Sequence, residues 1–277
     1  MKLNFKLLSH LLFIIFYTSK GFSQIDFTNE IGIVVGPVAF QSDFGEREDF
    51  ETNSGNTGFG IGVLHFINFN YKKDFTSKNL SSFFNDHFKI RNELTYNRTK
   101  LNHFGKWVDE FRSGVNTEKL RGHSGLSQNI NLGSQLEFFL RSIREFENSS
   151  RRGNNLLAPY ISLGAQISYS NPSVSTSYGD GNINNPNNFY APWVQATNPN
   201  FNEDSFLFND SQFVFSIVGS VGTRYKLNPL SDIVIDLKWQ FFLDDRVDGL
   251  DHNLTSNKSN DWLLWLNFSY VYYLNNN

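Results

Sequence analysis

Residues 57–70 read TGFGIGVLHFINFN, and this stretch decides the fold because its side chains alternate in character. Phe59, Ile61 and Val63 occupy one parity, whereas the positions between them are glycine. Successive side chains of a strand point to opposite faces, so the stretch predicts a β-strand with one apolar face and one small or polar face. The contrast recurs along most of the chain, which is the pattern of an outer-membrane β-barrel.

The same alternation predicts about eight strands, a number that closes into a small barrel. We therefore expect an all-β fold, an antiparallel up-and-down transmembrane barrel of about eight strands. The expected strands span about 30–40, 57–70, 88–101, 125–139, 159–169, 212–227, 232–243 and 262–274.

The connections between these strands also alternate in character. We expect long extracellular loops and short periplasmic turns, as at 228–231, although 71–82 and 140–157 are longer than ideal turns. The loop at about 170–210 is rich in Asn, Pro, Ser and Gly and is predicted to be mobile or only locally ordered. We expect Tyr190, Trp193 and Phe201 to pin it to the barrel rim; the alternative is that they contact a ligand. The long polar connections are 41–56, 102–122, 170–210 and 244–260.

The first residues predict export. Lys2 and Lys6 precede an apolar run over 7–17, which is followed by small residues ending at Ser23. The run is too short for a transmembrane helix, so we interpret 1–23 as a cleaved signal peptide; the alternative is a retained amphipathic anchor. Residues 24–277 then form a single barrel domain of a Gram-negative outer membrane.

Composition excludes several function classes. Removal of residues 1–23 takes away three lysines and changes the net charge from −3 to −6, so nothing predicts a nucleic-acid partner. The chain has no cysteine and therefore no disulfide framework. A mean hydropathy of −0.38 argues against a helical membrane protein, whereas a barrel with a polar interior fits this value.

A soluble lipocalin-like carrier would show the same alternation with the faces inverted. Aromatic residues favour the membrane interpretation, because they fall near both predicted ends of the apolar face, as girdles at the two lipid interfaces do. One rim holds Phe69, Phe88, Phe138, Tyr225 and Tyr272, and the other holds Phe59, Tyr96, Tyr169, Phe213 and Phe241.

The inward parity carries a balanced set of charges, four acidic and four basic. Buried charges are costly unless they are paired, so we expect ion pairs that plug a narrow lumen rather than a conducting pore. Lys89 with Glu137, and Arg224 with Asp236, are expected cross-strand neighbours. The predicted lumen residues are Glu30, Lys89, Arg91, Glu93, Glu137, Arg224, Asp236 and Lys238.

The segment DDRVDGLD offers the one candidate metal site. Asp244, Asp245, Asp248 and Asp251 supply oxygen ligands of the kind that calcium prefers, but their spacing is not that of an EF-hand loop. We expect a solvated acidic loop and keep calcium as the alternative.

Signs of catalysis are few. The glycines of 57–70 continue as a strand, so they do not form a dinucleotide-binding loop. His65 lies on the apolar parity without a serine or acid at a neighbouring position, and the remaining histidines lack metal-ligand spacing. We expect a protein that is not an enzyme and that has no cofactor.

Several segments resemble a flavobacterial-type group of small outer-membrane β-barrel proteins without an assigned biochemical role. They include FNDHFKIRNELTYN (84–97), APYISLGAQISY (158–169) and the terminal FSYVYYL (268–274). GTRYKL followed by a strand and DDRVDGLD is distantly similar to barrels associated with type IX secretion. The resemblance implies an outer-membrane location and insertion by the barrel-assembly machinery, and it leaves the activity open.

The sequence therefore predicts a non-enzymatic barrel that serves as a structural or accessory component of the cell envelope. Its expected partners are outer-membrane lipid, the assembly machinery and an envelope protein. The alternatives are a surface binding module that uses the long loops, an enzyme acting on lipid or peptide, a small channel, or a soluble carrier with inverted faces.

Overall fold

A computed structural model describes residues 28–46, 49–69, 83–147, 156–197, 206–252, 254 and 259–274. The predicted signal peptide and the connection 71–82 lie outside these ranges. The described residues form nine strands: β1 Thr28–Gln41, β2 Thr57–Asn68, β3 Phe88–Asn102, β4 His123–Phe139, β5 Leu157–Ser170, β6 Ser173–Thr176, β7 Gln212–Asn228, β8 Ser231–Phe242 and β9 Trp262–Tyr273.

Short helices lie in the connections. They are α1 Phe50–Asn53, α2 Phe83–His87, α3 Val115–Gly122, α4 Ile143–Glu147 and α5 Ala191–Thr197, with 3₁₀ turns at Gly105–Trp107 and Pro186–Asn188. Within the described part of the chain, no helix is both long enough and apolar enough to cross a membrane.

Eight of the strands close into an antiparallel barrel, as the alternation predicts. Each strand pairs with its neighbour in the chain, and β9 pairs back onto β1. Register partners can be followed from strand to strand around the barrel, starting at Trp262 of β9. The path passes through all the other barrel strands and returns to β9 at Tyr272, ten residues further along. This offset is the shear that closure imposes, and it requires strongly tilted strands.

The ninth strand, β6, extends the wall beyond the barrel. Its residues pair with the first residues of β4, directly after β5 ends at Ser170. Pro172 stands between β5 and β6, and proline has no N–H to donate to a ladder. The alternation is too short there to be read from the sequence, so β6 falls in a segment predicted as loop.

The barrel has an apolar outer face and a polar interior. On β1, Ile31, Ile33 and Val35 are exposed, whereas the alternate positions, beginning with Glu30, are buried. An exposed belt of large aliphatic and aromatic side chains with charges inside is the reverse of a soluble carrier. The fold is that of a transmembrane β-barrel, and the lipocalin-like alternative is wrong.

The periplasmic connections differ from plain turns in one respect. Pro229 and Leu230 form the tight turn expected between β7 and β8. The connection after β4 instead folds α4 back against the lumen, where Ile143 and Phe146 are fully buried. These two side chains are three residues apart and lie on one face of the helix, so α4 closes the periplasmic end of the lumen with its apolar face.

Candidate functional site

The interior of the periplasmic half is a continuous network of ion pairs centred on Glu30. Its two carboxylate oxygens accept hydrogen bonds from Lys89 Nζ at 2.5 Å and from an Arg224 guanidinium nitrogen at 2.5 Å. All three side chains are completely buried. Hydrogen bonds between ionised groups are about twice as strong as those between neutral groups.

From Arg224 the network continues to the middle of the barrel. Arg224 lies 3.4 Å from Glu137, which lies 3.4 Å from Arg91. Arg91 contacts Asp236 at 3.3 Å and Glu93 at 3.9 Å. Lys238 approaches Glu93 at 3.3 Å, so the structure joins all eight charged residues that the inward parity singles out.

The individual partners differ from the cross-strand pairs expected from the sequence. Lys89 and Glu137 stand opposite each other in register, but Lys89 bonds to Glu30 and Glu147. Arg224 stands opposite Val234 rather than Asp236, and the expected Arg224–Asp236 pair is wrong. In a closed narrow barrel, long side chains reach across the lumen and find partners on distant strands.

Three further charged groups enter the network. Asp232 lies 3.6 Å from Arg224 and 3.5 Å from Lys226, and Glu147 on α4 lies 3.0 Å from Lys89. Asp232 and Lys226 share the inward parity of their strands, so the alternation was a signal that could have found them. Glu147 belongs to a helix, and no strand pattern includes it.

The middle and the extracellular end of the interior change in chemistry. The Gln240 amide nitrogen lies within 2.9–3.2 Å of oxygens of Asn131, Ser168 and Ser216, within an uncharged polar layer. Above it, the rings of Phe40 and Phe242 stack at 6.0 Å between ring centres. The lumen is therefore filled first by charge pairs, then by amides and hydroxyls, and finally by apolar rings.

Parts of the four long loops pack together above the barrel, and we call this unit the extracellular cap. Phe44 is completely buried at its centre and lies parallel to the His123 ring, with 4.8 Å between ring centres. A Cβ atom at Gly125 would come within 2.4 Å of the Phe44 ring. Only glycine leaves room for the ring at this position.

Three histidines meet in the cap although the sequence scatters them. His103 Nε2 and His123 Nδ1 form a hydrogen bond of 2.8 Å, and Trp193 lies 5.4 Å from His103 and 5.2 Å from His252, ring centre to ring centre. Desolvation in this cluster lowers the pKa of His103 to about 3, so its ring is neutral at physiological pH. No linear spacing could predict the contact, because three separate loops and the start of β4 bring the residues together.

The aspartates of the acidic segment 244–251 lie in different environments. Asp244 pairs with Arg246 at 2.8 Å, whereas Asp248 is completely buried and accepts hydrogen bonds from the backbone N–H groups of Asp43 and Leu250. Burial raises the pKa of Asp248 to about 7. The expectation of a uniformly solvated loop is wrong for this residue.

The four candidate calcium ligands do not converge on one point. Asp245 and Asp251 are half-buried, and Asp251 interacts with the charge of Arg246. In the described ranges, no group of three or more His, Asp or Glu side chains is arranged to hold a metal ion. Asp248 instead ties the last loop to the first one.

A cleft of about 110 Å³ opens in the cap. Aromatic rings form most of its wall, and two carboxylates, Asp43 and Glu46, also line it. Glu46 also accepts a hydrogen bond from Trp107 Nε1 and pairs with Lys106 at 2.7 Å. The lining residues are Asp43, Phe44, Gly45, Glu46, Thr52, His103, Phe104, Trp107, Leu120, Tyr190, Trp193, His252 and Leu254.

The loops that carry the cleft are strongly acidic. The segments 41–56, 102–122, 170–211 and 243–261 contain seventeen acidic and seven basic residues, a net charge of −10. The whole chain carries only −3, so the negative charge is concentrated on the extracellular side. Such a surface attracts cations and repels anions.

No protein-family model matches the chain, and no curated protein matches it. Neisserial surface protein A is 12% identical with a TM-score of 0.39, over 88% of this chain and 96% of that one. Ail, the attachment invasion locus protein of Yersinia pestis, is 12% identical with a TM-score of 0.39, over 90% and 99%.

A major outer membrane protein from Thermus thermophilus is 13% identical with a TM-score of 0.39, over 90% of this chain and 100% of that one. Similarities at this level do not transfer a function. The assignment to the transmembrane β-barrels follows from this chain's own strand pairing and from its apolar outer face.

Proposed function

We propose that the protein is a non-enzymatic outer-membrane barrel whose plugged lumen supports a binding surface in the extracellular cap. This role would make it an accessory component of the cell envelope, inserted by the barrel-assembly machinery. The resemblance of its segments to flavobacterial-type and type IX secretion-associated barrels is compatible with such a role.

The filled lumen favours a scaffold over a channel. The charges of the periplasmic half are paired with one another, α4 covers that end, and apolar rings fill the opposite end. An ion that entered would have to displace buried, mutually paired charges, which costs several kcal/mol.

The cleft carries the proposal, and its chemistry favours a positively charged ligand. Aromatic rings and carboxylates line the same space, within loops of net charge −10. Cations are attracted both to carboxylates and to the faces of aromatic rings. The ligand class that fits best is an amine, such as the side chain of a lysine in a peptide or a partner protein.

The test uses trilysine as the probe on the full-length protein in detergent micelles. Trp107 and Trp193 line the cleft, so trilysine binding should change the intrinsic tryptophan fluorescence. Acetylated trilysine, which lacks the side-chain charges, should bind at least tenfold more weakly. Equal binding of the two peptides would overturn the proposal.

A matched pair of variants locates the site. Glu46→Gln removes a cleft carboxylate and should raise the Kd for trilysine about fivefold, because charged hydrogen bonds contribute about 1.5–3 kcal/mol and Lys106 competes for this one. Glu110→Gln neutralises an exposed acid outside the cleft lining and should change the Kd less than twofold. The same loss in both variants would indicate attraction by the net charge and not by the cleft.

A further inference from the structure

Four polar side chains form a hydrogen-bonded row on the lipid-facing side of the barrel. Asn29 Oδ1 lies 3.1 Å from His65 Nε2, and Asn92 Nδ2 lies 3.3 Å from His65 Nδ1. Ser134 Oγ then donates to Asn92 Oδ1 at 2.6 Å. The row runs across β1, β2, β3 and β4, and a neutral His65 with its proton on Nε2 satisfies both of the ring contacts.

The row climbs from the periplasmic edge toward the middle of the membrane. Its last three residues, His65, Asn92 and Ser134, are register partners on neighbouring strands. They belong to the path of register partners that rises in eight steps from Tyr272 to Trp262. Asn92 is the third step on this path and Ser134 is the fourth. Ten residues of tilted strand span about 25 Å along the axis, the height of the apolar band. Asn92 and Ser134 therefore lie about 9–12 Å above the periplasmic edge, near the bilayer centre.

A catalytic interpretation of this row fails on its geometry. A serine nucleophile needs a hydrogen bond to the base that takes its proton. Here both ring nitrogens of His65 face asparagine amides, and the Ser134 hydroxyl donates to Asn92. The histidine that the sequence left unexplained is therefore part of a polar ladder and not of a catalytic pair.

The upper end of the ladder retains unused hydrogen-bonding capacity. Among the residues that the structure describes, Asn92 donates once, to His65, which leaves one amide hydrogen, and the exposed Ser134 hydroxyl retains its acceptor lone pairs. Lipid tails offer no partner for either group. Polar side chains at membrane depth are rare outside protein contacts, and they hold transmembrane elements together.

We propose that the outer face of β3 and β4 is the interface of a homodimer centred on Asn92 and Ser134. The argument for a second copy is self-complementarity. A twofold axis along the membrane normal preserves depth and exchanges left with right, so Asn92 of one copy faces Ser134 of the other with about 3 Å between their levels. The unused donor then meets the unused acceptor twice.

The surroundings of the two residues suit close packing. The neighbouring outward positions on both strands are aliphatic, namely Ile90, Leu94, Leu132 and Leu136. Ser134 is short, so it lets the facing wall approach. The outward aromatic side chains of these strands, Phe88, Tyr96 and Phe138, are four residues along the strand from Asn92 or Ser134.

The chain has no cysteine, so a single introduced thiol reports this interface directly. Leu94→Cys lies beside Asn92, and Leu237→Cys lies on β8, across the barrel at a similar depth. The two leucines are similarly exposed, at 49% and 43%. Each variant is reconstituted in phosphatidylethanolamine and phosphatidylglycerol vesicles at low protein density and treated with a short bismaleimide.

The dimer predicts a crosslinked yield at least fivefold higher for Leu94→Cys than for Leu237→Cys. Adding Asn92→Ala to Leu94→Cys should reduce that yield at least threefold, while the boiled and unboiled gel mobilities show that the barrel still folds. Equal yields at the two positions, no crosslink at either, or a yield unchanged by Asn92→Ala would overturn the proposal. Lipid, and not a second copy, would then cover the outer face of β3 and β4.

Discussion

The two ends of the barrel interior are closed by different chemistry, although the same strands build both. At the periplasmic end, Arg224 alone contacts three carboxylates, those of Glu30, Glu137 and Asp232. At the extracellular end, Phe44, Phe40 and Phe242 are buried among rings and aliphatic side chains. The strand pattern determines the first closure, whereas residues from separate loops assemble the second.

The two closures distribute stability differently. Removing one charge from the periplasmic network leaves its buried partner charges unpaired, so a neutral side chain cannot replace it without a loss of stability. A ring in the cap can be lost at the cost of a cavity that affects only its neighbours. We therefore expect the barrel and the cap to be two separable units of stability.

The largest effect is expected from Arg224→Ala. The change leaves Glu30, Glu137 and Asp232 without their shared cation and should lower the free energy of unfolding by about 3–5 kcal/mol. The measurement is the urea concentration at which the unboiled band loses its distinct mobility. Arg98→Ala, an exposed arginine on β3, is the control and should cost less than about 0.5 kcal/mol; equal effects would contradict the network.

Phe44→Ala should destabilise the cap by about 3 kcal/mol and leave the barrel unchanged, because the ring is completely buried among residues of the cap. Hydrogen exchange of the loop peptides measures the loss, and the barrel strands provide the reference. Phe50→Ala removes a 76% exposed ring from the same loop and should have almost no effect. Faster exchange in the strands as well would show that the two units are coupled.

The pH dependence of the cap should contain a contribution from Asp248. Its pKa of about 7 in the folded protein lies above the value of about 4 in an unfolded chain. The raised pKa adds stability that is complete below pH 4 and is lost as the pH rises through 7. In hydrogen exchange, wild-type cap peptides should lose more protection between pH 5 and pH 8 than those of Asp248→Asn; identical profiles would refute the assignment.

The smallest effect is expected from the removal of an exposed ion pair. Lys106 and Glu46 lie 2.7 Å apart, but half of the lysine side chain is exposed. Ion pairs between exposed groups contribute little to stability, so Lys106→Ala should reduce the protection of the cap peptides less than Phe44→Ala does in the exchange measurement. A loss of stability as large as that of Arg224→Ala would mean that burial does not determine how much an ion pair contributes to stability.

The barrel itself could be predicted from the sequence because a strand pattern is local. The parity of Phe59, Ile61 and Val63 orients β2, and the same rule places Glu30 and Arg91 inside. Register and closure then follow from burying one face. The partner of each charge could not be predicted, since Arg224 reaches Glu30 across the lumen and not the residue opposite it.

The cap was beyond prediction for a physical reason. His103, His123 and His252 belong to separate segments of the sequence, and Trp193 packs against all three of them. Asp248 illustrates the same limit, since its sequence context is acidic and suggests solvent, yet loop packing buries it. The polar row ending at Ser134 was also hidden, because it becomes visible only when four strands are placed in register.

The separation of barrel and cap is tested most directly by protease treatment of Phe44→Ala in membranes, followed by gels of unboiled and boiled samples. The protease should cut the loops of this variant while the remaining barrel keeps its boiling-dependent mobility, whereas the wild-type loops should resist. Loss of the boiling-dependent mobility together with the loops would contradict this separation, because barrel and cap would then be one unit.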